Sequence, residues 1–252
     1  AFARSRLLTA ALAGGGRATG SFKGRERNPS GGAMSRPTRG GFQPPVLEAL
    51  CCIALSFAFA AATSRAADGP GAKTLATVPV AELPRAPIYW HLDTYPTRAE
   101  ADAATGPRST VVETFAKVWL FTIAEADWRP AGGMRVATIG PLRARPEGRY
   151  TASYMQAATS PGFQTDVHQH GGPEALFTLS GEVCVETPDG KSVGRAGGEP
   201  LLINGDVPMQ LTSVGSEVRR SLVLILHDAA QPWKVPTASP WVPKGLCVRP
   251  NG

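Results

Sequence analysis

The stretch Gly162-Phe-Gln-Thr-Asp-Val-His168-Gln-His170-Gly-Gly-Pro-Glu174-Ala-Leu-Phe-Thr-Leu-Ser-Gly181 carries more chemistry than any other part of this 252-residue chain. Side chains on a strand alternate between faces, so His168 and His170, two apart, point the same way. A Gly-Gly-Pro turn follows, past which Glu174 can swing back to join them. Two neutral imidazoles with one carboxylate hold one face of Fe(II), Mn(II) or a similar ion and leave positions open. A bare His-x-His near a glutamate reads better as a surface pair; the spacing of the flanking residues takes the reading further.

Outward from this segment, short apolar or alternating runs recur at 117–123, 134–139, 150–157, 175–179, 183–186, 201–203, 209–212 and 221–227, punctuated by Gly and Pro. Many short strands at close spacing predict an all-β sandwich or barrel. Thr187-Pro-Asp-Gly190 has turn chemistry between two of these runs. Residues 88–92 form a short aromatic strand candidate. The one good helix is 97–104, with Thr97 as N-cap and Gly106 as a stop. Residues 67–87, rich in Pro, Ala and Gly, predict an extended arm that wraps or pairs at an edge. Residues 110–157 are expected to extend the same sheets, and the Pro- and Trp-rich tail 231–252 to pack across the outside.

With its flanking glycines, the opening segment resembles the first conserved motif of the cupin superfamily. That motif is a Gly, five residues, His-x-His, three or four residues, Glu, six residues and a Gly, and every fixed position is matched from Gly162 to Gly181. The resemblance covers roughly residues 150–230. It implies a double-stranded β-helix, or jelly-roll barrel, with the metal inside and its ligands on inward-facing positions. The resulting plan is an arm with one short helix over 67–109, a cupin barrel over 110–230 and the tail. The family's second motif matches poorly at Gly197-Gly-Glu-Pro-Leu-Leu-Ile-Asn-Gly-Asp-Val-Pro-Met-Gln-Leu-Thr: Gly197 and Gly205 fit, but the fourth-ligand position holds Pro208, or Met209 after a one-residue insertion.

The metal ligands are therefore read as His168, His170 and Glu174, with Met209 either a soft thioether contact or an inward-facing apolar filler. His227 ends an apolar strand and aims into the barrel as a replacement ligand or bonds a nearby carbonyl or Asp228. His91, beside Trp90, is a more remote candidate. Tyr154, Phe177, Gln210 and Trp119 fall on strand candidates, where they line the pocket or form ordinary core.

The N-terminal third reads as a leader. Residues 1–33 lack an initial Met and have no hydrophobic periodicity, so they are expected to be upstream or disordered sequence. From Met34 a basic run precedes apolar residues from about Leu50 to Ala62, then Ser64-Arg65-Ala66 offers small residues for a signal peptidase. The apolar run falls short of the roughly 20 residues a spanning helix needs, so 34–66 is expected to be a cleaved signal peptide rather than an anchor. Cys51 and Cys52 lack the small residues that precede a lipidated cysteine and read as apolar filler. Residues 1–66 carry 9 Lys and Arg against 2 Asp and Glu, leaving 17 against 18 beyond them. The basic balance thus belongs to the leader, and nucleic acid loses its main support as a partner. Cys184 and Cys247 remain in an exported chain, either paired or, for Cys184, buried and free.

The functional expectation is an exported, periplasmic or secreted metal-binding barrel holding one divalent ion (Fe, Mn, Zn or Cu) and a small-molecule ligand. It has no membrane contact after cleavage and, as in many cupins, forms a homodimer through sheet edges. Three readings follow: a metalloenzyme of oxygenase, lyase or isomerase type, a non-catalytic ligand- or metal-binding barrel, and a structural barrel without metal.

Overall fold

Alternation along the strands sorts this protein into three stacked layers. A computed structural model describes residues 71–80, 82–237 and 240–248, all within the unit Ala60–Gly252. The segment 1–33 and the leader 34–66, with Cys51 and Cys52, lie outside the described residues.

From the N-terminal side run β1 (Ala72–Val80), β2 (Ile88–Tyr95), α1 (Arg98–Ala103), β3 (Ser109–Thr114), β4 (Lys117–Glu125), β5 (Met134–Leu142) and β6 (Tyr150–Thr159). The remainder is β7 (Glu174–Ser180), β8 (Glu182–Thr187), β9 (Gly190–Arg195), β10 (Leu201–Ile203), β11 (Gln210–Val214) and β12 (Arg219–Asp228). A five-stranded sheet has the order β1-β6-β12-β7-β10, a three-stranded sheet β11-β8-β9, and a four-stranded sheet β3-β4-β2-β5. The helix is fixed at its start by a capping box: Thr97 Oγ1 accepts from the Glu100 amide while the Glu100 carboxylate accepts from the Thr97 amide.

The five-stranded sheet is the shared wall. On β12, Leu222, Leu224 and Leu226 face the four-stranded sheet and, with Ala152 and Tyr154 of β6, pack in one cluster with Trp90, Trp119 and Phe121 of that sheet. The alternate residues Val223 and Ile225 face the three-stranded sheet and meet Met155, Leu176, Val183, Val185, Met209 and Leu211. A strand buried on both sides reads as a continuous apolar run, as this one does. The arm pairs as β1 along the edge of β6. Residues 88–142 build a sheet of their own that stacks on the outside of the barrel wall, because β2 pairs only with β4 and β5.

The two cysteines are joined. Cys184 on β8 and Cys247 in the tail form a disulfide, and Glu186 on the same face of β8 accepts from the amides of Lys244 and Leu246. The end of the tail is thereby fastened to the outer face of the three-stranded sheet.

Two stability outcomes follow, both read by urea unfolding. Leu224→Ala empties a fully buried site in the shared wall and is expected to cost about 2–5 kcal/mol, while Leu202→Ala on the half-exposed outer face of β10 costs about 0.5 kcal/mol or less. Replacing both Cys184 and Cys247 with Ala opens a loop of 63 residues, with an expected loss of about 4 kcal/mol from the larger freedom of the unfolded chain.

Candidate metal centre

The loop between β6 and β7 is held on two sides before it reaches the site. His168 exchanges both backbone hydrogen bonds with Met209, at 3.1 and 2.8 Å, and Val235 of the tail donates to the Gln169 carbonyl at 3.0 Å. The His170 carbonyl accepts from the Asp206 amide at 2.8 Å. The Gly171-Gly172-Pro173 turn is then pressed against β12. A Cβ on Gly172 would stand 2.0 Å from the Leu226 carbonyl oxygen, and one on Gly205 would stand 2.6 Å from the Gly172 Cα. Both positions thus exclude any side chain, and the turn delivers Glu174 as the first residue of β7, facing the barrel interior across from Ile225.

His168, His170 and Glu174 are all buried, at 6, 1 and 4% exposure. Both imidazoles are oriented by backbone carbonyls: His168 Nδ1–H donates to Asp166 O at 2.8 Å, and His170 Nδ1–H donates to Trp233 O. In a neutral imidazole so oriented, Nε2 presents its lone pair, the arrangement in which a histidine can ligate a metal. The two rings stand edge to face with centroids 5.0 Å apart.

His170 Nε2 lies 3.4 Å from Glu174 Oε2, and neither buried atom has a hydrogen-bond partner. A neutral imidazole and a carboxylate cannot donate to one another, so this juxtaposition calls for a cation, either a proton on His170 Nε2, which makes the two an ion pair, or a metal ion between them. Burial pushes the Glu174 carboxyl up, but His170, His168 and Arg219 together hold it below the ordinary glutamate range. It is therefore a carboxylate at neutral pH. Burial and then the neighbouring His170 lower the His168 imidazole, which keeps it neutral and able to donate electrons. Among the described residues no three His, Cys, Asp or Glu side chains already converge closely enough to ligate an ion.

The other candidates fall in different places. Met209 is fully buried, directly across from His168, and packs in the apolar barrel cluster. His227 points inward, but its Nε2 is engaged by Ser153 Oγ at 3.1 Å and its Nδ1 by Asp228 O at 3.0 Å. His91 sits on the four-stranded sheet, bonded to Glu125 O and approached by Arg135. Trp119, Tyr154 and Phe177 belong to the core between the four- and five-stranded sheets, on the opposite side of the wall from the trio, and Gln210 donates to Thr165 O. Unforeseen from the sequence were the carbonyls of Asp166 and Trp233, which orient the ligand rings, and Arg219, a buried cation on the inward face of β12.

No family model matches the sequence, and no curated protein matches it. Among solved structures the chain is similar to a cupin superfamily protein from Desulfitobacterium hafniense, with 15% identity, 34% of this chain and 72% of that one covered, and a TM-score of 0.28. It is also similar to an oxalate oxidase in complex with the substrate analogue glycolate, with 22% identity, 33 and 45% covered, and a TM-score of 0.29. A third is a DMSP lyase from Ruegeria pomeroyi, with 17% identity, 36 and 45% covered, and a TM-score of 0.31. The chain spans under half the length of the last two. The motif glycines and histidines, meanwhile, lead into β7 of a jelly-roll pair of sheets. Its five- and three-stranded antiparallel sheets face one another as the two halves of a jelly-roll barrel. The trio lies at one end of the barrel, where β7 and β11 begin and β12 ends.

Three of the four buried histidines give this protein an acid-sensitive interior. Burial is the leading cause that lowers His91, His168 and His227 below the ordinary value of 6.5. The unfolded chain then takes up protons first as pH drops. Their contribution to stability is complete above 6.5 and is lost as pH falls from there toward the lowered folded values. Thermal unfolding from about pH 7.5 to about pH 5 is expected to show a falling midpoint below that value, and His91→Gln, remote from the trio, to give a shallower fall.

Proposed function

We propose that this protein is an exported cupin-fold metalloenzyme acting on a small molecule through His168, His170 and Glu174. The observation that carries this reading is the close approach of two buried atoms without a hydrogen-bond partner, His170 Nε2 and Glu174 Oε2, beside a second buried imidazole. A divalent ion satisfies both at once, and His168 Nε2 is the third donor on the same side. Such an ion supplies Lewis-acid character to a bound oxygen atom or, if iron, manganese or copper, redox chemistry. The chain's own residues do the rest: Asp166 O and Trp233 O hold the imidazoles in the ligating tautomer, and the apolar cluster of Leu176, Val185, Ile203 and Ile225 excludes water. The disulfide supports export, since such bonds persist in oxidising compartments. Sheet edges at β1 and β10, each paired on one side only, are where a homodimer would join.

One observation favours a non-catalytic barrel as a second reading. Met209 stands across from His168 where the family's second motif would bring another histidine, and a thioether is a poor ligand for Zn(II), Mn(II) or Fe(II). A metal store or ligand carrier needs no open coordination position, whereas an enzyme does.

Elemental mass spectrometry separates these from an empty barrel. Protein purified without chelator or affinity nickel is expected to carry about one metal ion per chain, absent from the His168→Ala, His170→Ala double variant. A native protein that remains metal-free after incubation with iron, manganese, zinc and copper overturns the proposal.

A further inference from the structure

The tail reaches the metal end of the barrel with little to hold it there. Across 231–237 no residue is buried. Its backbone meets the loop of the site through one two-way bridge between Gln169 and Val235, at 3.4 and 3.0 Å, and through the Trp233 carbonyl, which accepts from His170 Nδ1. The Trp233 side chain packs partly buried against the barrel cluster, its ring 5.9 Å from that of His170. The ion pair of Lys234 with Asp166, at 3.8 Å and with the carboxylate side chain 93% exposed, contributes little. A few edge contacts of this kind hardly offset the backbone freedom lost when a run of residues is ordered. Farther on, Cys247 is the one buried residue of 240–248, and it is bonded to Cys184 of β8. Around it Glu186 accepts from the Lys244 and Leu246 amides, and Lys191 Nζ donates to Leu246 O at 2.7 Å.

The Trp233 carbonyl selects between two states of a neutral His170, which carries a single ring proton. With that proton on Nδ1 and shared with Trp233 O, Nε2 turns its lone pair toward Glu174 Oε2, 3.4 Å away, and the two are open to a metal ion. With the tail lifted, Nδ1 loses its acceptor. The proton is then better placed on Nε2, where it donates to the Glu174 carboxylate, and the same two groups satisfy one another without a metal. His168 is spared this choice, since its Nδ1 donates to the carbonyl of Asp166 on its own loop. Tail docking and metal capture therefore favour one another, and by linkage each strengthens the other by the same factor.

We propose that oxidation of Cys184 and Cys247 switches on metal capture: the cross-link holds the tail against the barrel, the tail holds His170 in its ligating tautomer, and the reduced chain binds metal poorly. This rests on the metal-centre reading above. Closing the bond converts two thiols to one disulfide, while their two electrons and two protons pass to a disulfide oxidant that leaves as two thiols. The cross-link restricts the detached tail and so favours docking without itself touching the site. The centre of such a chain stays empty in a reducing compartment and fills once the chain is in an oxidising one.

The test uses the full chain with Cys51→Ala and Cys52→Ala, so that one cysteine pair remains. Co(II) affinity is measured by competition with a chelator for this oxidised parent and for the parent carrying Cys184→Ala and Cys247→Ala. The second protein is expected to bind Co(II) roughly tenfold to a hundredfold more weakly, the loss met when a ligating histidine is deprived of its orienting partner. Without metal, trypsin is expected to cut after Lys234 faster in the second protein than in the parent, which reads detachment of the tail directly. Equal Co(II) affinity in the two proteins overturns the proposal, and so does equal cleavage after Lys234. Should the protein without the pair not fold, the oxidised parent decides by hydrogen exchange. Cobalt is expected to slow exchange of the Val235 amide by roughly tenfold to a hundredfold, and an unchanged rate counts against the proposal. A parent that takes up no cobalt defeats the metal-centre reading and this inference together, whereas cobalt held equally well by both proteins defeats this inference alone.

Discussion

The described residues are arranged around a sheet whose central strands are covered on both faces. The strands β6, β12 and β7 form one wall of the barrel and one wall of a second, largely apolar layer, and a side chain's parity decides which it serves. Even positions on β12, Leu222, Leu224 and Leu226, supply packing; odd positions, from Arg219 through Ser221 to His227, face the barrel. Burial on both sides fixes register strongly, because a slip of one residue would drive Arg219 and His227 into the aromatic cluster and three leucines into the barrel. The four-stranded sheet therefore does more than add mass. By covering the back of the wall it holds in place the strands that carry or face the site's charged and polar groups.

The site exploits that rigidity through its backbone. His168 and His170 are not on a long strand but on a short run clamped between Met209 on one side and Val235 on the other. The carbonyls that set both tautomers come from Asp166 and from Trp233 in the tail. Since the end of the same tail is bound by the disulfide and by Glu186, the segment that orients His170 is anchored on both sides of its contact. A carbonyl makes a good orienting group here, as it adds no charge to an interior that already holds Glu174 and Arg219.

What the sequence made legible follows from periodicity and from close packing. His168 and His170 share a face because strands alternate, and Gly172 and Gly205 are glycines because backbone lies against backbone there. All nine strand candidates appear within a few residues of their expected bounds, with β7 and β12 extended by register pairing. Less legible were β1, β3 and β9, whose sequences AKTLATVPV, STVVET and GKSVGR are short of bulky apolar residues and become strands through partners distant in the chain. The separate four-stranded sheet was illegible for a related reason: aromatic residues such as Trp119 and Tyr154 fit a barrel lining and an intersheet core equally well. Nor do carbonyl donors to a histidine leave any trace in residue type. Arg219 had a trace, a charge at the start of a doubly buried strand, but an arginine there reads equally as a solvated strand end until the register is known.

Met209 shows how the fold constrains the chemistry. It faces His168 at a hydrogen-bonded pair, where Cα atoms stand about 5.5 Å apart and side chains run side by side. It also packs with Leu176, Ile203 and Ile225 and is closed off from solvent. A histidine at that position would bring a fourth donor but would have to bury a second ring nitrogen, which needs a partner that this apolar cluster does not provide. The thioether avoids that cost, being weakly polar and readily packed. The consequence is a site whose charged and strongly donating groups all lie on the loop-to-β7 side, faced by an apolar wall and, farther along the barrel, by a single guanidinium.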